Sequence, residues 1–147
     1  MFDITKKRAN ETARIELIDG EGAPLTDEEG NVLAVTVFGP GSKRWQQADA
    51  ERNRKRTQRL EKNRRNLAAA IEGSKDDEVE FLVSITQSFD GWIYPAPKTA
   101  DWSEGDPDPA WPTSAQMYRA AYDDDTIGFI REHVHSEASS WGAFTKG

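Results

Sequence analysis

Few side chains in this 147-residue chain are suited to chemistry. Two histidines stand two positions apart in "HVH", at His133 and His135. On a helix that spacing points them about 200° apart, so one metal ion cannot easily use both. Metal-binding helices use steps of three or four, and Glu132 and Glu137 do not repair the geometry. The expected state is two partly exposed histidines in the C-terminal half of a helix, where positive charge is favourable. Asp123, Asp124 and Asp125 would suit a hard cation, but the spaced ligands and closing glutamate of a calcium loop are missing. Capping of the helix that follows explains the run at no extra cost. "GEGAPLTDEEG" has glycines but no following Lys-Ser/Thr and no helix start, so it is not a phosphate loop. Serine, histidine and aspartate all occur without a nucleophile motif around any of them. Cysteine is absent, which removes disulfides, thiolate metal sites and thiol nucleophiles. The chain is therefore expected not to be an enzyme and to need no cofactor.

The strongest chemical signal is charge. "GPGSKRWQQADAERNRKRTQRLEKNRRN", residues 39–66, is a dense basic run in a chain of net charge −7. Residues 41–72 hold ten Lys/Arg against four Asp/Glu, while the remainder holds nine against 22. Such a split points to pairing of opposite fields within or between molecules. Arg52, Arg56 and Arg59, with Lys55 and Lys62 nearby, would track a phosphate backbone through salt-sensitive contacts. The acidic remainder would repel the same polymer, and no recognised nucleic-acid module surrounds the run. Two other readings stand beside that one: a solvated helix, or an interaction helix for an acidic or amphipathic protein partner.

These residues need elements to position them. The length fits one domain, residues 1–147. Apolar residues make up 36% and charged residues 31%, so the core should be modest and the surfaces well solvated. The first ten residues are polar and expected to be loosely held. "TARIELID" alternates as a half-buried strand does, "GEGAPLTDEEGN" is turn-bearing, and "VLAVTVFG" should return, giving a hairpin over residues 12–40. Two strands alone are marginal in water, so helices must pack on them or a second chain must complete them. Ser42 is placed to cap a long basic helix over residues 42–72, which holds no Pro or Gly after Gly41 and should end near Gly73. Its apolar stripe is thin: Trp45, Ala48, Leu60, Leu67 and Ile71, with "LAAAIE" expected to dock on the domain.

"KDDEVEFLVSITQSFDG" alternates like a strand. It also carries a capping box (Asp77, Glu80) and helical spacing at Val79, Leu82, Ile85 and Phe89, so a helix ended by Gly91 is expected. Residues 95–112 contain five of the seven prolines and form an irregular loop bearing Trp102 and Trp111. Thr113 with Gln116 opens a short helix. Ile127, Ile130, Val134, Ala138 and Trp141 mark the amphipathic face of the last one. The expected fold class is α+β, mainly α, with residues 77–147 forming the helical part. No signal-peptide h-region or membrane-length apolar stretch occurs, so a soluble protein made without export is expected.

The order of segments carries a resemblance. A short alternating hairpin runs into "VTVFGPGSK", then a basic helix with "QQADAERNRKR", then "EFLVSITQSFDGW", "YDDDTIGFIREHV" and a closing "WGAFTKG". From about Ile15 to Lys146 this resembles small tail-morphogenesis proteins of long-tailed bacteriophages and prophages, several of which are taken to be tail assembly chaperones. The Trp- and Pro-rich loop 95–112 departs from that pattern as an insertion. The resemblance implies a non-enzymatic role: binding the helical tape measure protein, or other tail proteins, in the host cell cytoplasm before the tail tube polymerises. It transfers no residue-level motif. The partner-binding residues proposed from surface chemistry are Trp45, Arg52, Arg56, Arg59, Leu60, Trp102 and Trp111. The alternatives are a structural virion component, such as a small tail or head-completion protein, and a basic-helix nucleic-acid binder. No membrane partner is expected, nucleic acid is disfavoured, and self-association is open in number.

Overall fold

The computed structural model describes residues 1–145, apart from the side chains of residues 67 and 69–72. After a 3-10 turn at Ile4–Lys7 come strands β1 (Thr12–Glu16) and β2 (Ala34–Phe38), then helices α1 (Lys43–Lys62) and α2 (Leu67–Ile85). Strand β3 (Thr86–Asp90) follows directly. Helices α3 (Ser114–Asp123), α4 (Gly128–Ala138) and the single turn α5 (Gly142–Thr145) complete an α+β, mainly α, domain.

β1 and β2 form the expected antiparallel pair, with Ile15 opposite Val35 and Ala13 opposite Val37. The connecting loop is two similar turns in tandem. Asp19 accepts from the amides of Glu21 and Ala23, and Asp27 accepts from those of Glu29 and Asn31. The stretch between them is pinned by Leu25 N–H donating to the Leu17 carbonyl and Leu33 N–H donating to the Leu25 carbonyl.

β3 joins the other edge of β2, so the sheet order is β1-β2-β3 and the chain itself completes the hairpin. This corrects the expected helix through Phe89. Val79, Phe81, Leu82, Val83 and Ile85 are all buried, so both periods were present because α2 is covered on nearly every side here. The helix gives way to strand where Thr86 donates its hydroxyl to the Leu82 carbonyl, 2.7 Å away. A shift in register between Thr36 and Val37 absorbs the change of direction.

The expected helix over 42–72 is two helices. α1 stops at Lys62, where Asn63 uses both its amide N–H and its side chain to hydrogen-bond the Arg59 carbonyl, and Asn66 N–H bonds back to Asn63. Asparagine competes for helical carbonyls in this way, and two of them bracket Arg64 and Arg65. Gly73 lies inside α2 and ends nothing, and Asp77 is not an N-cap. Leu67 and Ile71, the expected docking residues of "LAAAIE", have side chains outside the described residues.

Other boundaries match their local chemistry. Ser42 caps α1, accepting from Trp45 N–H at 3.1 Å, and Thr113 caps α3, accepting from Gln116 N–H at 3.2 Å. α4 ends at Ala138, so Trp141 falls outside it and is 56% exposed, while Ile130, Val134 and Ala138 are buried as expected. Asp124 caps a 3-10 turn, Asp125–Ile127, that precedes α4.

α1, α3 and α4 all pack on α2, and the sheet lies against the same core. α5 closes the β1–β2 side: Phe144 is fully buried and its carbonyl accepts from Asn10 N–H at 2.7 Å. A β-carbon at Gly39 would stand 2.5 Å from Phe144 Cε1 and 2.6 Å from Cγ. Gly39→Ala should therefore lower the unfolding free energy by about 2 kcal/mol through overpacking, read as a lower urea midpoint. Gly20→Ala, with open space around it, should leave the midpoint near wild type. Equal midpoints would show that Phe144 does not pack there.

Candidate interaction surface

α1 has two faces, and the residues proposed from the sequence divide between them. The inward face begins with Trp45, whose ring meets Phe81 edge-on at 5.5 Å and whose indole N–H donates to the Ala138 carbonyl at 2.9 Å. Ala48 is buried beside it. Beyond Ala48 the apolar side chains run out, and arginines take their place.

Arg52 lays its guanidinium over the Phe81 ring, 3.8 Å from the centroid. It donates to Asp49 Oδ1 at 2.6 Å and meets His135 Nε2 at 2.9 Å. Arginine can only donate, so Nε2 accepts and the imidazole is neutral with its proton on Nδ1. That nitrogen faces Glu78 Oε1 at 3.7 Å, beyond hydrogen-bond length. Burial holds the His135 pKa below its ordinary value, opposed by the Glu78 carboxylate and assisted by the charges of Arg52 and Arg56.

Arg59 reaches α2 and forms a two-pronged pair with Asp77: Nη1 with Oδ2, and Nη2 with Oδ1 at 2.7 Å. The Asp77 side chain is only 7% exposed. Gly73 makes room for this arginine, since a β-carbon there would stand 2.5 Å from Arg59 Cζ. Of the three arginines first considered for a phosphate backbone, Arg52 and Arg59 are thus committed inside the domain.

Arg56 and Leu60 point outward, Leu60 at 53% exposure. Among the described residues, Arg56, Lys62, Arg64 and Arg65 form no ion pair, so the last turns of α1 and the turn after it make a basic tip that also carries an exposed leucine.

Trp102 and Trp111 are not brought to α1. The Trp102 indole donates to the Pro107 carbonyl at 3.1 Å, and the Lys98 ammonium sits 3.8 Å over its ring. The Trp111 indole donates to the Tyr94 carbonyl at 2.8 Å, which folds the loop onto the segment after β3. There a groove of about 350 Å³ opens between Ile93, Pro95, Pro109, Trp111 and Met117, with Asp108 on its lining. Ile93 is 75% exposed. The sequence proposals passed over Ile93, yet "WIYPAP" held the signal. In an extended chain Trp92 and Tyr94 share one side and Ile93 takes the other. Trp92 is held by the Ala34 carbonyl and Tyr94 by Asp124, leaving Ile93 outward.

The candidate metal residues have structural employment. His133 Nε2 meets the Glu16 carbonyl at 3.0 Å, Asp124 caps its turn, and Lys75 bridges Asp123 and Asp125 at 3.4 and 2.8 Å. Among the described residues, no group of three or more His, Cys, Asp or Glu is placed to hold a metal ion, and no helix is long and apolar enough to cross a membrane. No family model, curated protein or solved structure matches the chain.

Two outcomes follow from this geometry. Arg52→Ala and Arg59→Ala should each cost about 1–3 kcal/mol of stability in chemical denaturation, through lost cation–π contact or an unpaired buried carboxylate. Arg56→Ala should stay within about 0.5 kcal/mol of wild type. Because the folded state disfavours protonated His135, its contribution is fully present above the unfolded-state pKa and is lost as pH falls through the lower folded value. The melting temperature should therefore drop as pH falls below about 6.5, and His135→Gln should flatten that slope. An identical slope in the variant would remove His135 as its source.

Proposed function

We propose that this chain is a phage tail assembly chaperone, a non-enzymatic protein that binds the tape measure protein in the host cell cytoplasm during tail morphogenesis. The order of segments from the hairpin to "WGAFTKG" supports the family reading. The observation that carries the binding reading is the basic tip of α1. Arg56, Leu60 and Lys62 stand exposed on a helix whose inward face is already filled, and Arg64 and Arg65 stand exposed in the turn that follows it. A long helical client exposes apolar surface that would otherwise self-associate, and a rigid helix offering a leucine with cations near it can cover part of it. The charges raise the encounter rate with acidic stretches, and the leucine supplies contact once water is excluded.

The test pairs virion mass spectrometry with co-purification. Purified virions should lack the protein, while lysates of infected cells should yield it bound to the tape measure protein. The double variant Arg56→Glu with Leu60→Asp should weaken that capture about tenfold or more. Stoichiometric presence in virions would overturn the chaperone reading in favour of a structural tail or head-completion component. Salt-sensitive DNA binding lost on charge reversal at Arg56, Lys62, Arg64 and Arg65 would favour a nucleic-acid binder instead.

A further inference from the structure

We infer that the groove at Ile93, Pro95, Pro109, Trp111 and Met117 receives the α1 tip of a second copy of this chain, with Leu60 entering the groove and the nearby cations meeting its acidic rim.

The two features are complementary. The groove is lined mainly by apolar side chains, and its volume of about 350 Å³ admits a leucine with the aliphatic stems of flanking Lys or Arg. Asp108 lines it directly, and Asp101, Glu104 and Asp106 lie in the same loop. The loop's single cation, Lys98, sits on the Trp102 ring. Glu104 and Asp108 form no ion pair among the described residues, so the rim keeps uncompensated negative charge. At the tip, Arg56, Lys62, Arg64 and Arg65 form no ion pair among the described residues and outnumber one exposed carboxylate, Glu61; Arg56 precedes the exposed Leu60 by one helical turn, and Arg64 and Arg65 follow in the turn after α1. Trp111 adds an aromatic face on which a guanidinium or ammonium can rest.

One copy cannot satisfy both features itself. Arg59 and Asp77 fix the tip beside the N-terminal part of α2. The groove lies at the N-terminal end of α3, which is tied to the far end of α2, where Tyr118 donates its hydroxyl to the Gln87 carbonyl at 3.1 Å. The helix from Asp77 to Ile85 alone separates these points by about 12 Å. The surfaces differ, so the contact is heterologous: each copy offers a tip to one neighbour and a groove to the other. This needs only a second copy of the chain and does not rest on the proposed function, although a client held at the same tip would compete with it.

Sedimentation velocity on the full chain tests this. At low salt the average mass should rise with concentration above that of the 16.5 kDa monomer and fall back at high salt, since exposed charges are screened. Leu60→Asp and Ile93→Lys should each weaken association about tenfold or more. Mixed together, these two variants should form a dimer that grows no further, because each retains one intact half of the contact. Asp108→Lys is a milder groove variant that keeps every apolar contact, and it should weaken association and reduce its salt sensitivity. Circular dichroism identical to wild type would confirm that the variants fold. A monomer at every concentration in low salt would overturn the inference, as would association untouched by these variants or a mixture that fails to recover. A chain that stays monomeric while its groove binds a leucine- and lysine-rich helical peptide would overturn it in favour of a foreign cationic helix.

Discussion

Helix α2 runs into strand β3 at Ile85 and Thr86 without a connecting loop, so the helical layer and the sheet are directly continuous there. That continuity fixes much of what surrounds it. Thr86 pairs with Val37 in the sheet while its hydroxyl bonds the Leu82 carbonyl and meets the Tyr122 hydroxyl at 2.7 Å. Burial pushes the Tyr122 phenol well above its ordinary pKa, which keeps it a neutral hydrogen-bonding partner. Phe89, four residues into the strand, stacks on Trp92 at 4.0 Å and tilts against Tyr118 at 4.5 Å. One junction therefore sets the register of β3, the placement of α3 and the start of the segment that forms the groove.

α1 shows a different solution to packing. A helix with so little apolar surface has a weak hydrophobic reason to dock. It docks because its inward stripe continues from Trp45 and Ala48 into two guanidiniums, one flat on Phe81 and one locked to Asp77. Arginine suits this use because its plane stacks like a ring and its donors fork onto a carboxylate. The arrangement is also directional. Asp77 is buried and needs its partner, so α1 cannot slide along α2 without stranding a charge. The turn at Asn63 is what brings Arg59 back within reach.

Charge segregation looks different once the internal pairs are removed. Arg52, Arg54 and Arg59 are matched by Asp49, Glu51 and Asp77, and Lys75 and Arg131 are matched by the aspartate run. Among the charges that remain are a cationic tip at the end of α1 and an acidic rim around the Pro- and Trp-rich loop. Both lie beside exposed apolar residues, Leu60 and Ile93. Each is a surface where charge guides approach and apolar contact holds the partner.

Much of the architecture was legible in the residues themselves. The hairpin partners, the Ser42 and Thr113 caps, the buried face at Ile130, Val134 and Ala138, and the basic character of α1 follow from local chemistry: side-chain alternation, hydroxyls placed before helices, and apolar spacing. The helix passing through Gly73 and the change to strand at Thr86 were not legible, because each depends on a contact distant in sequence, while the break at Asn63 rests on local asparagine hydrogen bonds set within a run of good helix formers. Gly73 reads as a stop signal until Arg59 occupies the space above it. Val79, Phe81, Val83 and Ile85 read as a strand as easily as a helix until α1, α3, α4 and the sheet cover this part of α2 on nearly every side. Where arginine is dense follows from the order of residues alone. Only the tertiary structure decided which arginines face inward, because an arginine's role depends on whether an aromatic face or a buried carboxylate lies within its reach.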